Sequence, residues 1–202
     1  MSVELSYTQL NIGCLSRNKF WGEPVDKAFR GAVCTSTLLE VSDDSFILID
    51  PGLPYEQMKE TLYNRRGIAP DKIFAIFLTH FHGDHMVDLD KYDGVCIYAS
   101  KEEIELNSEF MPTGVKPLEN QFAGISCVLL PGHTLGTAGL SFTSGGQKVI
   151  AVGDAVMTKD FFHVADGYFN AVDLDLVKES IHFIKNNYDV VIPGHDVQFF
   201  IK

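Results

Sequence analysis

At 202 residues, 46% of them hydrophobic and 11% aromatic, the chain can bury a sizeable core and is expected to form one domain over 1–202. Sixteen Lys and Arg against 27 Asp and Glu give a formal net charge of −11, which sets the molecule against polyanions and acidic membrane surfaces; a nucleic-acid partner is disfavoured and would need a local basic patch. No apolar run approaches the roughly 18 residues of a membrane helix, the first residues lack the pattern of a secretion signal, and Cys14, Cys34, Cys96 and Cys127 form no CxxC pair, so a cytoplasmic protein with reduced thiols and no membrane partner is expected.

Apolar, β-rich runs predict strands over 3–12, 33–41 and 46–49, the last two joined at Asp43-Asp44 as antiparallel neighbours. Between the first two lies a loop, 16–31, that carries Phe20, the single Trp21, and the cations Arg17, Lys19, Lys27 and Arg30 against Glu23 and Asp26. It is read as a flap over an anionic, partly apolar substrate. Tyr55, Met58, Leu62 and Tyr63 recur at helical spacing, and the Gly67-Ile68-Ala69-Pro70 turn then delivers the chain to a buried strand over 73–78. Downstream follow a strand over 95–98, a helix opened by Ser100 with Glu103 as its capping-box partner, and strands over 125–130, 139–143 and 149–152. A helix over about 174–187 and a strand over 190–192 complete the pattern, which suits two packed sheets with helices outside.

The chemistry concentrates at strand ends. Thr79-His80-Phe81-His82-Gly83-Asp84-His85 places three imidazoles and a carboxylate in six positions directly after the 73–78 strand. His133, Asp154 and His195 each stand just beyond a further apolar run, with Gly83, Gly132, Gly153 and Gly194 nearby to permit tight turns. Imidazole and carboxylate without thiolate suit zinc and tolerate iron or manganese. Seven ligands exceed one tetrahedral site and suit two metals with a shared group, where a bound water becomes hydroxide near pH ~7 and can attack an acyl or phosphoryl centre. Lys159 and His163, close behind Asp154, are read with Phe20 and Trp21 as substrate contacts, whereas His182 reads as a surface residue of the last helix.

At these residues the chain resembles the metallo-β-lactamase superfamily, whose signature is HxHxDH followed by a separate His, Asp and His. The similarity runs from Phe46-Ile47-Leu48-Ile49-Asp50-Pro51-Gly52 to Pro193-Gly194-His195. It implies an α/β (α+β) fold, a four-layer αββα sandwich. It also implies two Zn2+ per chain, with Fe or Mn as alternatives: His80, His82 and His133 on the first, Asp84, His85 and His195 on the second, and Asp154 bridging. Asp50 would orient a ligand from behind, and Asp84 would be catalytic, orienting the nucleophile.

The spacings between ligands resemble those of glyoxalase II-like and short hydrolase branches. The seven residues that follow His195 leave no room for the helical region with which glyoxalase II holds glutathione, and Met157 stands where lactonases carry Tyr. Arg66-Gly67-Ile68-Ala69-Pro70 and the Pro193-Gly194-His195 ending also resemble metallo-β-lactamase domain-containing protein 1, a short animal branch associated with RNA cleavage. The expected function is therefore a zinc-dependent hydrolase in which a dinuclear-metal-bound hydroxide attacks an ester, thioester or similar acyl bond of a small anionic substrate. A phosphodiesterase or ribonuclease of the same fold is the alternative, and a mononuclear iron sulfur dioxygenase the third reading. The expected partners are a small-molecule substrate and, as a candidate assembly, a second copy in a homodimer.

Overall fold

The structure, a computed structural model, describes residues 3–119 and 121–201; the expected domain limits at 1 and 202 lie outside them. The chain opens with strands β1 (Ser6–Asn11), β2 (Ser36–Ser42) and β3 (Ser45–Ile49), then helix α1 (Tyr55–Arg66) and strand β4 (Ile73–Phe77). Strand β5 (Cys96–Ala99), helix α2 (Lys101–Leu106) and the two-residue strand β6 (Lys116–Pro117) complete a six-stranded sheet of order β1-β2-β3-β4-β5-β6. Strands β7 (Ser126–Leu129), β8 (Ala138–Ser144) and β9 (Gln147–Gly153), helices α3 (Lys159–Val164) and α4 (Leu174–Asn187), and strands β10 (Val190–Pro193) and β11 (Phe199–Phe200) build the other half. Its five strands run β11-β10-β9-β8-β7.

Period-two alternation assigns each strand's side chains to layers. From β3, Ile47 and Ile49 face the other sheet and meet Leu140, Phe142, Val149, Ala151 and Ile192 in the central core. Phe46 and Leu48 face outward onto Met58 and Leu62 of α1. On the opposite flank, Ile150, Val152 and Val191 pack beneath Val177, Ile181 and Ile184 of α4. Three apolar seams between four layers make the αββα sandwich. Strands buried on both faces explain the unbroken apolar runs at 46–49, 75–78 and 149–152, whereas Phe74 near the start of β4 is exposed.

The β2–β3 hairpin turns at Asp43-Asp44 as expected, with Asp44 at φ 62°, and α1 ends on left-handed Gly67, whose N–H donates to the Tyr63 carbonyl. Two strands differ most from the sequence reading. Val3 and Ile12 are exposed and β1 is shorter at both ends. Val33 pairs with Cys14 in an isolated bridge, so β2 starts only at Ser36. Helix α3 and the two-residue strands β6 and β11 were not foreseen, being too short to show a period. The four cysteines are unpaired, and among the described residues no helix is long and apolar enough to cross a membrane.

Candidate metal centre

The seven chemistry-bearing residues leave the same end of both sheets. His80, His82, Asp84 and His85 follow β4 of the first sheet, the last two within a single 3-10 turn, Gly83–His85. His133 follows β7, Asp154 follows β9 and His195 follows β10 of the second. Their ligand atoms fall into two groups, each with all atoms within 4.8 Å of one another: His80, His82, His133 and Asp154, and beside it Asp84, His85 and His195.

Asp154 lies between the groups. Its Oδ2 is 3.7 Å from His80 Nε2 and 3.3 Å from His133 Nε2, while its Oδ1 is 3.1 Å from His85 Nε2 and 3.2 Å from His195 Nε2. Close backbone approach permits this placement. Gly153 takes φ 51°, and a Cβ there would overlap the Thr79 hydroxyl; a Cβ at Gly194 would overlap Asp154 Oδ1. Gly83, by contrast, opens the tight 3-10 turn without a positive φ and with open space around it, so neither left-handed backbone nor close approach requires glycine there.

The outer hydrogen bonds settle which imidazole nitrogen faces inward. The Thr79 hydroxyl donates to Asp50 Oδ2 (2.7 Å), so at His80 Nδ1 (3.1 Å) it acts as acceptor, which puts the His80 proton on Nδ1 and a lone pair on Nε2. His85 Nδ1 donates to Asp50 Oδ2 (2.9 Å), and His195 Nδ1 to the Val33 carbonyl (2.9 Å). Asp50, at φ 50°, also accepts the Thr79 N–H through Oδ1 (2.8 Å). Three lone pairs thus face carboxylate oxygens, and a positive charge between them is what the arrangement demands.

The first group adds His80 Nε2 and His133 Nε2 at 3.1 and 2.9 Å from His82 Nδ1. Asp154 Oδ1, His85 Nε2 and His133 Nδ1 are buried without a hydrogen-bond partner, the close Asp154 approaches lacking hydrogen-bond geometry. Nitrogen and oxygen donors in two adjoining clusters fit a pair of divalent cations of the zinc, iron or manganese kind.

Electrostatics agree. Burial pushes His80 well below the ordinary imidazole range and His133 down to about 4, keeping both neutral as ligation requires. Burial also works against charge on Asp154, yet His195, His85 and His133 outweigh it and hold the carboxyl well below its usual range. Burial opposes a proton on both His85 and His195, but Cys34, Asp154 and Asp50 override it at His85 and Asp154 at His195, so both are raised: positive charge is favoured here.

None of the four expected substrate contacts belongs to these clusters. Phe20 packs edge-on against Phe161 (4.9 Å between centroids), Trp21 is exposed beneath the Arg30 guanidinium, Lys159 Nζ lies 5.9 Å from the Phe199 ring, and the His163 ring sits 6.5 Å from it. A cavity of about 250 Å3 opens between the 16–31 loop and residues 166–174, lined by Arg17, Lys19, Phe161, Asp166, Tyr168 and Phe169 among others. Glu103 makes only half of the expected capping box. Ser100 Oγ caps its N–H (2.9 Å), but the carboxylate makes no reciprocal bond and reaches the ligand loops instead, at Phe81 and Thr134. Only its spacing from Ser100 was visible beforehand.

Known proteins resemble this chain in sequence and in fold. The family profile described as "Metallo-beta-lactamase superfamily" matches residues 30–195. The hydroxyacylglutathione hydrolase of Serratia proteamaculans is 30% identical over 103 residues, 49% of this chain and 39% of that one. Human metallo-beta-lactamase domain-containing protein 1 is 28% identical over 188 residues, covering 84% of this chain and 65% of that protein. The chain thus spans less than two thirds of the length of these two relatives. Among solved structures, a quorum-quenching N-acyl homoserine lactone hydrolase superposes with a TM-score of 0.72 at 22% identity, over 98% of this chain and 95% of the other, a likeness of fold. The chain belongs to the metallo-β-lactamase superfamily and carries the His/Asp cluster of a metal-dependent hydrolase.

Proposed function

We propose that this protein is a two-zinc hydrolase that cleaves the ester or thioester bond of a small anionic substrate. The observation that carries the reading is Asp154, one carboxylate with an oxygen on each of two imidazole-rich groups. His80, His82 and His133 would hold one cation and Asp84, His85 and His195 the other, with Asp154 shared. Bound there, the cations would supply Lewis acidity, lowering the pKa of water and polarising the scissile carbonyl.

The protein's own groups divide the remaining work. Asp50 and the Val33 carbonyl fix His85 and His195 through Nδ1 and keep Nε2 free. Asp84 has a side chain 26% exposed where that of Asp154 is 6%, so it is the carboxylate that water and substrate reach. It orients the attacking water and accepts its proton at a carboxylate oxygen.

The cavity beside the 16–31 loop supplies substrate recognition. The Arg17 guanidinium lies 4.4 Å from the Phe169 ring centroid, and Lys19 pairs with Asp166. Tyr168 Oη donates to the Arg17 carbonyl (2.9 Å) and ties the loop to the opposite wall. That wall joins the ligand loop: Val172 N–H donates to the His133 carbonyl (3.2 Å) and Asp173 N–H to that of Gly132 (2.9 Å). With Lys19 neutralised by Asp166 in the same lining, Arg17 is the lining cation that has no carboxylate partner among the described residues, and above an aromatic floor it suits a carboxylate-bearing, partly apolar acyl compound.

The test is hydrolysis of a carboxylate-bearing thioester, its ester analogue and a phosphodiester by zinc-loaded protein, with Asp154→Asn as control. Turnover of the acyl substrates is expected, lost in Asp154→Asn. In Asp84→Ala, kcat should fall by about 10²- to 10⁴-fold with an unchanged circular dichroism spectrum. Phosphodiester turnover alone would overturn the acyl reading, and full activity in Asp84→Ala would remove that residue's role.

A further inference from the structure

We propose that Glu103 is a positioning residue that sets the separation of the three imidazoles of the first group, and with it that group's affinity for a cation. The inference rests on the metal-centre reading above. Glu103 is fully buried on α2, and each bond of its carboxylate is to a neutral donor. Oε1 accepts the Phe81 N–H (2.8 Å), and Oε2 accepts the Thr134 hydroxyl (2.6 Å) and the Asn107 amide (2.8 Å). Phe81 stands between His80 and His82, and Thr134 directly follows His133. One side chain therefore clamps both segments that carry the first group, segments that leave different sheets and are about fifty residues apart.

The clamp has a built frame. The Ser100 hydroxyl donates to the Gly136 carbonyl (2.6 Å) while it accepts the Glu103 N–H, so the 134–137 turn docks on the first turn of α2. A Cβ at Gly136 would overlap the Glu103 backbone, which shows how closely the two are seated. Within the turn, Thr137 Oγ1 accepts the Thr134 N–H (2.9 Å) and lies 2.8 Å from Thr134 Oγ1. A buried carboxylate is costly to desolvate, and three donors without a cation compensate it only in part. Such a group persists where it holds geometry that a neutral apolar residue would not.

Three variants, with Glu103→Leu as the apolar reference, separate positioning from mere packing. Thr134→Val removes one Glu103 bond that reaches a ligand segment, whereas Asn107→Ala removes a bond of similar length that reaches none. Glu103→Gln keeps size and hydrogen-bonding capacity, because Thr134 can accept from the new amide and Asn107 can reverse its own. Cobalt binding to metal-free protein, read from the visible absorption of the loaded centre and checked by chelator competition, reports the cation affinity of each group without turnover.

Thr134→Val should weaken the first group by about 10- to 100-fold and leave the second near wild type. Asn107→Ala should match wild type, and Glu103→Gln should bind more tightly than Glu103→Leu. Wild-type affinity in both Thr134→Val and folded Glu103→Leu, or equal losses in Thr134→Val and Asn107→Ala, would overturn the positioning role. Absence of stoichiometric cobalt binding by the wild-type protein would overturn the metal-centre reading itself, and this inference with it.

Discussion

Asp50 shows how much of the centre depends on single groups. Its two oxygens accept from Thr79 twice and from His85 once, and it is buried at a left-handed backbone position that Asn also tolerates. Asp50→Asn should therefore fold, but its amide must face either the Thr79 N–H or the two donors on Oδ2. We expect zinc affinity of the second group to fall by about 10- to 100-fold with the first less affected, measured by chelator competition; equal loss from both groups would argue against a specific hold on His85. At this scale the ligands were legible because imidazole and carboxylate side chains carry their chemistry wherever they stand. Thr79, Glu103 and the Val33 carbonyl were not, since each acts through an approach between segments remote in sequence. A backbone carbonyl, such as the one on His195, has no signature at all.

Among the elements, strand ends and the turns beyond them decide the site. The turn after β9 must pass so close to Thr79 that residue 153 has room for no side chain, and its φ of 51° is one that alanine reaches only under strain. Gly153→Ala should thus destabilise the fold by about 1–3 kcal/mol, seen as a lower urea midpoint; an unchanged midpoint would show that the turn relaxes freely. Runs of apolar residues made β3, β4, β9 and α4 readable, because burial on both faces or at helical spacing leaves a pattern. Val33 misled for the same reason: an apolar residue that continues a strand-like run serves instead as a carbonyl partner in an isolated bridge. Lys159 and His163, read from their proximity to Asp154, lie on α3 near the Phe199 ring, and the Lys159 N–H donates to Asp196, the residue after His195 (3.1 Å).

Across the whole molecule, the two sheets share one core and meet again at the ligand cluster, where β4 contributes from the first sheet and β7, β9 and β10 from the second. Cations bound there would cross-link the layers, so metal and fold are coupled. The layered architecture was legible from alternating and continuous apolar runs, whereas the strand order was not, because pairing between distant strands leaves no local trace. The chain carries a net charge of −11, and against it Arg17 brings a cation without a carboxylate partner among the described residues to the proposed substrate cavity. The most direct measurement is the zinc content of the protein after loading and exhaustive dialysis, set beside that of Asp154→Asn. Two zinc ions per chain in the wild-type protein, and fewer in the variant, are expected; one or none in the wild type, or two retained in Asp154→Asn, would contradict a two-cation centre held together by Asp154.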